Sequence, residues 1–505
     1  MATSSENTLV LRADAGSQIG TGHVMRCLAL AQAWQADGGR AIFVSNCESQ
    51  GLCRRVKDAG IDFVHVSSSH PDPEDLRQTL IKLRKLQPGW LVLDGYHFDP
   101  EYQRAVRAAG CSLLVIDDSG HWPEYHANVL LNQNMNAVQL RYTCDPDTAM
   151  LLDTRYALIR SEFHVWQGYQ RKTPEIARRI LVSLGGSDPA NLTLKVIQAL
   201  HQLRETGLEA RIVIGPANSH SETLLQLAQG LSLNVQCIRN ATNMAELMAW
   251  ADIAVSSAGS ICWELAYMGL PSVAFILAEN QRRIGEELGK RGIVLNLGWH
   301  EQVTPAEIAQ VVNKMVFSPK ARAEMSDRGR DLVDGEGADR VVMRMRGQNI
   351  RLRRVKEADA RLLWEWANDP DVRAVSFSAE AIPWEAHLRW LASQLADSNC
   401  FFYIAINEDD APVGQIRCDV SGSEAVISIS LDTRFRGKGY GAAAIELAAQ
   451  RVYQVSAAKL IHAYVKPDNQ ASINVFQKAG FRKMGTALMR GQPAIDMVLR
   501  EAGEG

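Results

Sequence analysis

The sequence predicts two α/β halves followed by a smaller α+β domain. Three observations carry this. Short apolar runs alternate with helical patterns from residue 8 onward. The alternation restarts after the charged stretch QRKTPEIARR (170–179). From Ile350 the elements become fewer and longer, and a hairpin pattern replaces the βα repeats. Strands alternating with helices imply a parallel sheet with ligand sites at strand C-termini. The domain boundaries read as 1–160, 161–345 and 350–505. A chain of 505 residues suits about three domains of roughly 150 residues each.

In the first half, TLVLRAD (8–14) reads as a strand and HVMRCLALAQAWQADGG (23–39) as a helix. Val24, Leu28, Ala31 and Trp34 recur at helical spacing, and Gly38-Gly39 end the run. AIFVSN (41–46), WLVLDGY (90–96) and SLLVIDD (112–118) are further strands. After QRKTPEIARR, read as a linker, come the strands RILVSLGGS (179–187), ARIVIGP (210–216), ADIAVSSAG (251–259) and LPSVAFIL (270–277). Two such halves create a cleft, a favoured place for a small-molecule site. In the last domain IRLRRV is a strand and ADARLLWEWAND a helix. CFFYIAINEDDAPVGQIRCDV forms a hairpin turning at EDDAPVG, and the strand EAVISISLD precedes RFRGKGYGAAAIELAAQRVYQ.

Composition narrows the class without naming a chemistry. Hydrophobic residues are 46%, charged residues 22% and the net charge is −3. These values exclude a disordered, collagen-like or coiled-coil chain. They also argue against nucleic-acid binding, which needs a basic face. No apolar run reaches the ~18–20 residues of a membrane span. The start lacks a basic stretch leading into an apolar one, so no signal peptide is expected. The 9 cysteines are scattered without a C-x-x-C pair. No metal site is predicted, and the thiols read as reduced ones of a cytoplasmic protein.

The segment Gly16-Ser17-Gln18-Ile19-Gly20-Thr21-Gly22-His23 joins the first strand to the first helix. Gly20 and Gly22 permit a tight turn and close backbone approach to a ligand. His23 falls at the helix start, where the dipole opposes imidazolium formation and favours an imidazole able to take a proton from water. Asp14, two residues before Gly16, either orients His23 or caps the strand-end turn. In the second half, Ser256, Ser257, Gly259 and Ser260 lie between a strand and a helix, where backbone amides suit phosphate. Glu264, a turn further on, either reaches ribose hydroxyls or is a solvated helix carboxylate. Asn280-Gln281 follow a strand and loop, and LGGSDP (184–189), with Gly186, faces the same cleft.

GTGHVMRCLALA together with SSAGSICWELAYMGLPSVAFILAENQ resembles the UDP-sugar hydrolase of pseudaminic acid biosynthesis. That family removes UDP from UDP-2,4-diacetamido-2,4,6-trideoxy-β-L-altropyranose. It is similar to the GT-B glycosyltransferases, so the resemblance implies two Rossmann-like halves over roughly residues 8–340. It implies that His23 acts at the anomeric centre, and that Tyr96, from the Asp94-Gly95-Tyr96 motif, and Asn280 contact the sugar. Gly20, Gly22, Gly186, Ser257, Gly259, Ser260 and Glu264 would bind UDP. Carbon–oxygen cleavage without a metal follows from the same resemblance. His23 would activate water or assist the departing diphosphate, the first being favoured.

Arg436-Gly437-Lys438-Gly439-Tyr440-Gly441 fits R-x-x-G-x-G between a strand and a helix. Such glycines bring successive amides onto a pyrophosphate at a helix start. The loop, the preceding strand ISISL (427–431) and KPDNQASINVFQKAGF (466–481) resemble the GCN5-related N-acetyltransferases. The resemblance implies acetyl-CoA as cosubstrate, held by Leu431, the 436–441 loop, Asn469 and Asn474. Phe476 stands where many members carry a tyrosine that protonates the CoA thiolate, so the proton would come from water or Tyr464. WANDPDVRAVSF…IPWEAHLRWL (366–391) resembles the acceptor-binding part of the ribosomal-protein and nucleotide-sugar branches, with Arg373, His387 and Trp390 as acceptor contacts. Trp364, Trp366, Trp384 and Trp390 otherwise read as core or wall.

The two resemblances imply one bifunctional enzyme. It would acetylate the 4-amine of UDP-4-amino-4,6-dideoxy-N-acetyl-β-L-altrosamine and then release UDP from the diacetamido product. The partners are these UDP-amino sugars and acetyl-CoA, with no nucleic acid and no membrane. The alternatives are a GT-B glycosyltransferase fused to an acetyltransferase, a protein N-acetyltransferase with a non-catalytic first half, and a nucleotide-sugar binding module.

Overall fold

The computed structural model describes residues 7–16, 19–203, 205, 207–229 and 234–501. Ser17 and Gln18 of the glycine loop lie outside the described residues. The chain divides into two compact units between Val342 and Met343.

The first unit holds two parallel sheets. One contains β1 (Thr8–Ala13), β2 (Arg40–Ser45), β3 (Asp62–His65), β4 (Trp90–Asp94), β5 (Ser112–Ile116), β6 (Val129–Asn132) and β7 (Ala149–Leu152), in the order β3-β2-β1-β4-β5-β6-β7. The other contains β8 (Arg179–Ser183), β9 (Glu209–Ile214), β10 (Asn234–Arg239), β11 (Ile253–Ser257), β12 (Ser272–Ile276) and β13 (Val294–Trp299), in the order β10-β9-β8-β11-β12-β13. Central strands such as LVL of β1 and ILV of β8 are buried on both faces. Apolar runs without polar alternation are what a covered parallel sheet requires.

Strand order reverses between β1 and β4 in the first sheet and between β8 and β11 in the second. At such a switch the following loops diverge and leave a crevice at the strand C-termini. The GTGH loop follows β1 and Asp94-Gly95-Tyr96 ends β4. LGGSDP follows β8 and SSAGS ends β11. Each motif pair therefore flanks a switch point.

Residues 170–179 are not a free linker. The Arg171 guanidinium donates to the carbonyls of Met248, Ala251 and Met268. The Arg178 and Arg179 amides donate to Asp252 Oδ2 at 2.8 and 2.9 Å. These bonds fasten the segment beneath the N-terminal ends of the central strands β8 and β11.

The second unit is one mixed sheet of β14 (Ile350–Arg354), β15 (Cys400–Asn407), β16 (Pro412–Ser421), β17 (Glu424–Leu431), β18 (Leu460–Val465), β19 (Arg482–Met489) and β20 (Gln492–Arg500), ordered β14-β15-β16-β17-β18-β20-β19. Among the described residues only β17 and β18 of this sheet run parallel, and they pair over three rungs, from Glu424↔Leu460 to Val426↔His462. Beyond Val426, β17 pairs with β16 alone. The sheet thus splits along 427–431. One face packs under the helix Tyr440–Val455 and the helix Gln470–Lys478, with Ile427, Ile461, Ala463 and Met497 in that core. On the other face, Leu363, Trp366 and Leu391 pack with Phe402, Ile404 and Ile406 of β15. Among the described residues of the whole chain, no helix is long and apolar enough to cross a membrane.

Candidate active sites

In the first unit the helix Gly22–Ala36 begins directly after the glycine loop, with Gly20 at φ +77°. His23, on its first turn, is 8% exposed. Its Nδ1 lies 2.6 Å from Asp94 Oδ1. Arg26 is three residues on, so it shares His23's helix face. Its guanidinium donates to both Asp94 oxygens, at 2.6 and 2.7 Å, and to Asp118 Oδ1 at 2.8 Å. Burial alone would raise the Asp94 pKa, but the Arg26 charge and His23 outweigh it and hold it well below the usual carboxylate range. A carboxylate cannot donate, so His23 Nδ1 carries the hydrogen and Nε2 is the nitrogen left for substrate or water.

Tyr96 continues the network. Its ring meets His23 edge-on, with centroids 5.1 Å apart. The hydroxyl donates to Asp118 Oδ2 at 2.6 Å and accepts from Asn280 Nδ2 at 2.9 Å. Burial first, and the Asp118 charge second, keep this phenol protonated far above its ordinary range. Gly95 is required between them, because a Cβ there would stand 2.6 Å from the His97 ring. His23, Tyr96 and Asn280 thus come together from both halves.

The glycine and serine loops of the two halves also converge. A Cβ on Gly186 would collide with Thr21, and one on Gly22 would stand 3.4 Å from Ser260 Oγ. Gly259 lies beside the Gln281 side chain and Ser257. Glu264 is not a solvated carboxylate: it accepts from Arg160 Nε at 2.8 Å and Nη2 at 2.9 Å. Arg160 is buried, and Glu162 beside it accepts from Arg55.

Asp14 does not orient His23. It pairs with Arg12 and accepts the Asn46 amide at 2.7 Å. Burial pushes its pKa up, but His97 and Arg12 bring it down to about 2. Of the two readings the sequence leaves open for Asp14, the orienting role falls instead to Asp94. Sequence reasoning passed over Arg26 and Asp118. The signal for both was present, Arg26 at i+3 from His23 and Asp118 closing SLLVIDD.

In the second unit Gly437 and Gly439 adopt φ +76° and +88° and turn the chain into the 16-residue helix Tyr440–Val455. Side chains would be strained in this left-handed region. Lys438 is exposed and lies over the Phe435 ring, whereas Tyr440 is buried. Gly441 packs beside Leu431 and Val475. Arg436 is occupied: Nε donates to Leu431 O, and its two other nitrogens donate to Asp369 and Asp371 at 3.0 and 2.8 Å. Its place is that of a loop anchor. Asn469 caps the helix Gln470–Lys478 by accepting the Ser472 amide, and Asn474 is exposed and accepts from Gln470. Phe476 is buried against Phe481.

Of the three expected acceptor contacts, His387 and Arg373 are both engaged within the protein. His387 is 1% exposed, with Nε2 3.0 Å from Ala360 O and a pKa lowered by burial. It is part of the wall among Trp384 and Trp390 and meets no acceptor. Arg373 holds its own loop through Ser376 Oγ and the carbonyls of Ser378 and Glu380. That loop is tied to β18 by Lys466 and to the β19–β20 turn by Gln492. Trp366 donates to Asp432 and Trp364 to Ile382 O, as wall residues do.

Two family models match parts of the chain, and several known proteins are similar to it. Residues 349–482 match the acetyltransferase (GNAT) domain, and residues 180–338 match the glycosyltransferase family 28 C-terminal domain. An uncharacterised protein of Methanocaldococcus jannaschii is 22% identical over 93% of this chain and 96% of its own length. A spore coat polysaccharide biosynthesis protein of Bacillus subtilis is 23% identical over 65% of this chain and 95% of its own length. The UDP-2,4-diacetamido-2,4,6-trideoxy-β-L-altropyranose hydrolase of Campylobacter jejuni is 23% identical over 56% of this chain and 97% of its own length.

Proposed function

We propose that this chain, in which an acetyltransferase (GNAT) domain follows a glycosyltransferase family 28 C-terminal domain, performs two consecutive steps on one nucleotide sugar. The acetyltransferase acetylates the 4-amine of UDP-4-amino-4,6-dideoxy-N-acetyl-β-L-altrosamine with acetyl-CoA. The first unit then hydrolyses the diacetamido product and releases UDP. The observation that carries this reading is the His23–Asp94 pair at one switch point, facing the Ser257–Ser260 loop at the other. A histidine oriented by a buried carboxylate suits water activation, and glycine-backed amides opposite suit a diphosphate.

In this mechanism Asp94 fixes His23 so that Nε2 draws a proton from water as the oxygen attacks the anomeric carbon. General-base assistance of this kind contributes ~10²–10⁴-fold. Tyr96 and Asn280 hold the sugar. Gly20, Gly22, Gly186, Ser257, Gly259 and Ser260 line the diphosphate, and the departing charge meets preorganised donors. Glu264, fixed by Arg160, faces the ribose. In the second unit the amides of 437–441 and the helix start hold the CoA pyrophosphate. The Tyr464 phenol, kept protonated by burial and by Asp496, donates to the CoA thiolate that Phe476 cannot serve.

The test is to supply the UDP-amino sugar with and without acetyl-CoA, and with no sugar acceptor. Free UDP at enzymatic rates supports hydrolysis. UDP release that requires an added acceptor supports a glycosyltransferase instead.

A further inference from the structure

β17 and β18 part company at Val426↔His462. The CoA loop 436–441 lies at the start of the helix Tyr440–Val455, which packs on one face of this sheet. A thioester threaded through the gap therefore presents its carbonyl to the opposite face. That face is covered over β15 by the helical segment 360–396 and is open at the start of β17, where Val426 and Ser428 are exposed. His462 points to this open face, on the last rung before the gap.

His462 Nδ1 lies 3.0 Å from Asp496 Oδ1 on β20. Its Nε2 is buried and has no hydrogen-bond partner. An orphaned buried ring nitrogen is costly in a folded protein and calls for an explanation. The ring stacks on Tyr464 with centroids 6.0 Å apart, and Tyr464 lies directly opposite Asp496. Around the pair on this face stand Glu424 of β17, Asp419 and Arg417 of β16, and Arg482 of β19 across Val498. Arg417 is paired with Asp419, so Asp496 is the carboxylate that addresses His462.

We infer that His462 is the general base of the acetyltransferase and that Asp496 is its positioning residue. The inference rests on the acetyl-CoA reading of this domain and names the group that acts on its acceptor. The acceptor ammonium loses a proton to His462 Nε2, directly or across one water. The amine nitrogen then forms a bond to the thioester carbon, the carbon–sulfur bond breaks, and its electron pair leaves on the CoA sulfur. The attacking nitrogen sheds its second proton as the thiolate takes one up, so the products are the amide, CoA thiol and one proton released through His462.

The experiment uses the full chain with acetyl-CoA and the UDP-4-amino sugar, following CoA thiol. In the natural sequence kcat/KM should show an acidic limb where the base is protonated. His462→Ala should lose ~10²–10⁴-fold in rate together with that limb, and added imidazole should restore part of the rate. Asp496→Asn should lower kcat with little change in KM for acetyl-CoA. Acetyl-CoA binding by the same variants, measured by calorimetry, reports that the second unit is folded. A His462→Ala chain that keeps its rate, or loses it without a changed pH profile and without imidazole rescue, overturns the inference. If the natural chain releases no CoA with this sugar, the acceptor assignment fails instead, and the same pH and rescue series on any amine it does acetylate decides the role of His462.

Discussion

His23 and Asp94 meet at 2.6 Å although 71 residues separate them in the chain. The contact exists because β1 and β4 are parallel neighbours whose last rung is Ala13↔Asp94. The loop after β1 carries His23 back over the end of β4. Asp94→Asn keeps the shape but cannot accept Nδ1–H and both Arg26 bonds equally. UDP release should fall ~10²–10⁴-fold with KM nearly unchanged. Steady-state kinetics on the diacetamido nucleotide sugar check this, and CoA release should stay at its natural rate.

Tyr96→Phe removes a hydrogen bond to the Asp118 carboxylate and another from Asn280. A bond to a charged group is worth about 1.5–3 kcal/mol, so UDP release should drop roughly 10- to 100-fold. Asn280→Ala should give a smaller loss, since Tyr96 keeps Asp118. The ordering of the two variants is the measurement that matters.

Glu264 and Arg160 form a bidentate pair with little exposure. Glu264→Ala leaves a buried guanidinium with Glu162 alone, which should cost about 3–5 kcal/mol less the part Glu162 recovers. Denaturant unfolding should register the loss of stability, and UDP binding should weaken in the same variant. Weakened binding with unchanged stability would mark Glu264 as a pure ribose contact.

Asp14 has its folded pKa lowered to about 2 from 3.8, as His97 and Arg12 overcome burial. A depressed carboxylate contributes stability that is fully present above its unfolded pKa and lost as pH falls through the folded one. That contribution is about 2 kcal/mol. Stability of the first unit should therefore decline between roughly pH 4 and pH 2. In Asp14→Asn that pH dependence should flatten in denaturation curves taken across the range.

Gly439 holds φ +88° at the start of the helix Tyr440–Val455. Gly439→Trp blocks the pyrophosphate approach and strains the turn by about 1–2 kcal/mol. Acetyl-CoA binding should vanish by calorimetry while UDP release continues. His23→Ala should do the reverse. Loss of both activities in either folded variant would contradict two separate sites.

The legible parts were those whose signal is local. LVL and ILV runs announced buried parallel strands, and G-T-G-H and R-G-K-G-Y-G announced turns into helices. Strands such as β3 (DFVH) and β10 went unread because they are short or half-exposed and carry no apolar run. Residue roles that depend on strand order were harder. Asp14 and Asp94 both end strands near His23, and only the β1–β4 register decides between them. His387 looked like an acceptor contact because a histidine among tryptophans reads equally as wall or site, and its burial settles the matter. His462 drew no notice, since its partner Asp496 lies on another strand.

The central claim is that one chain acetylates a UDP-amino sugar and then hydrolyses it. The most direct measurement follows CoA thiol and free UDP together in one time course, with the UDP-4-amino sugar, acetyl-CoA and no sugar acceptor. The account predicts that CoA appears first, that UDP follows after a lag, and that omitting acetyl-CoA suppresses UDP release. UDP release that depends on an added acceptor, or CoA release that ignores the UDP-amino sugar, would contradict it.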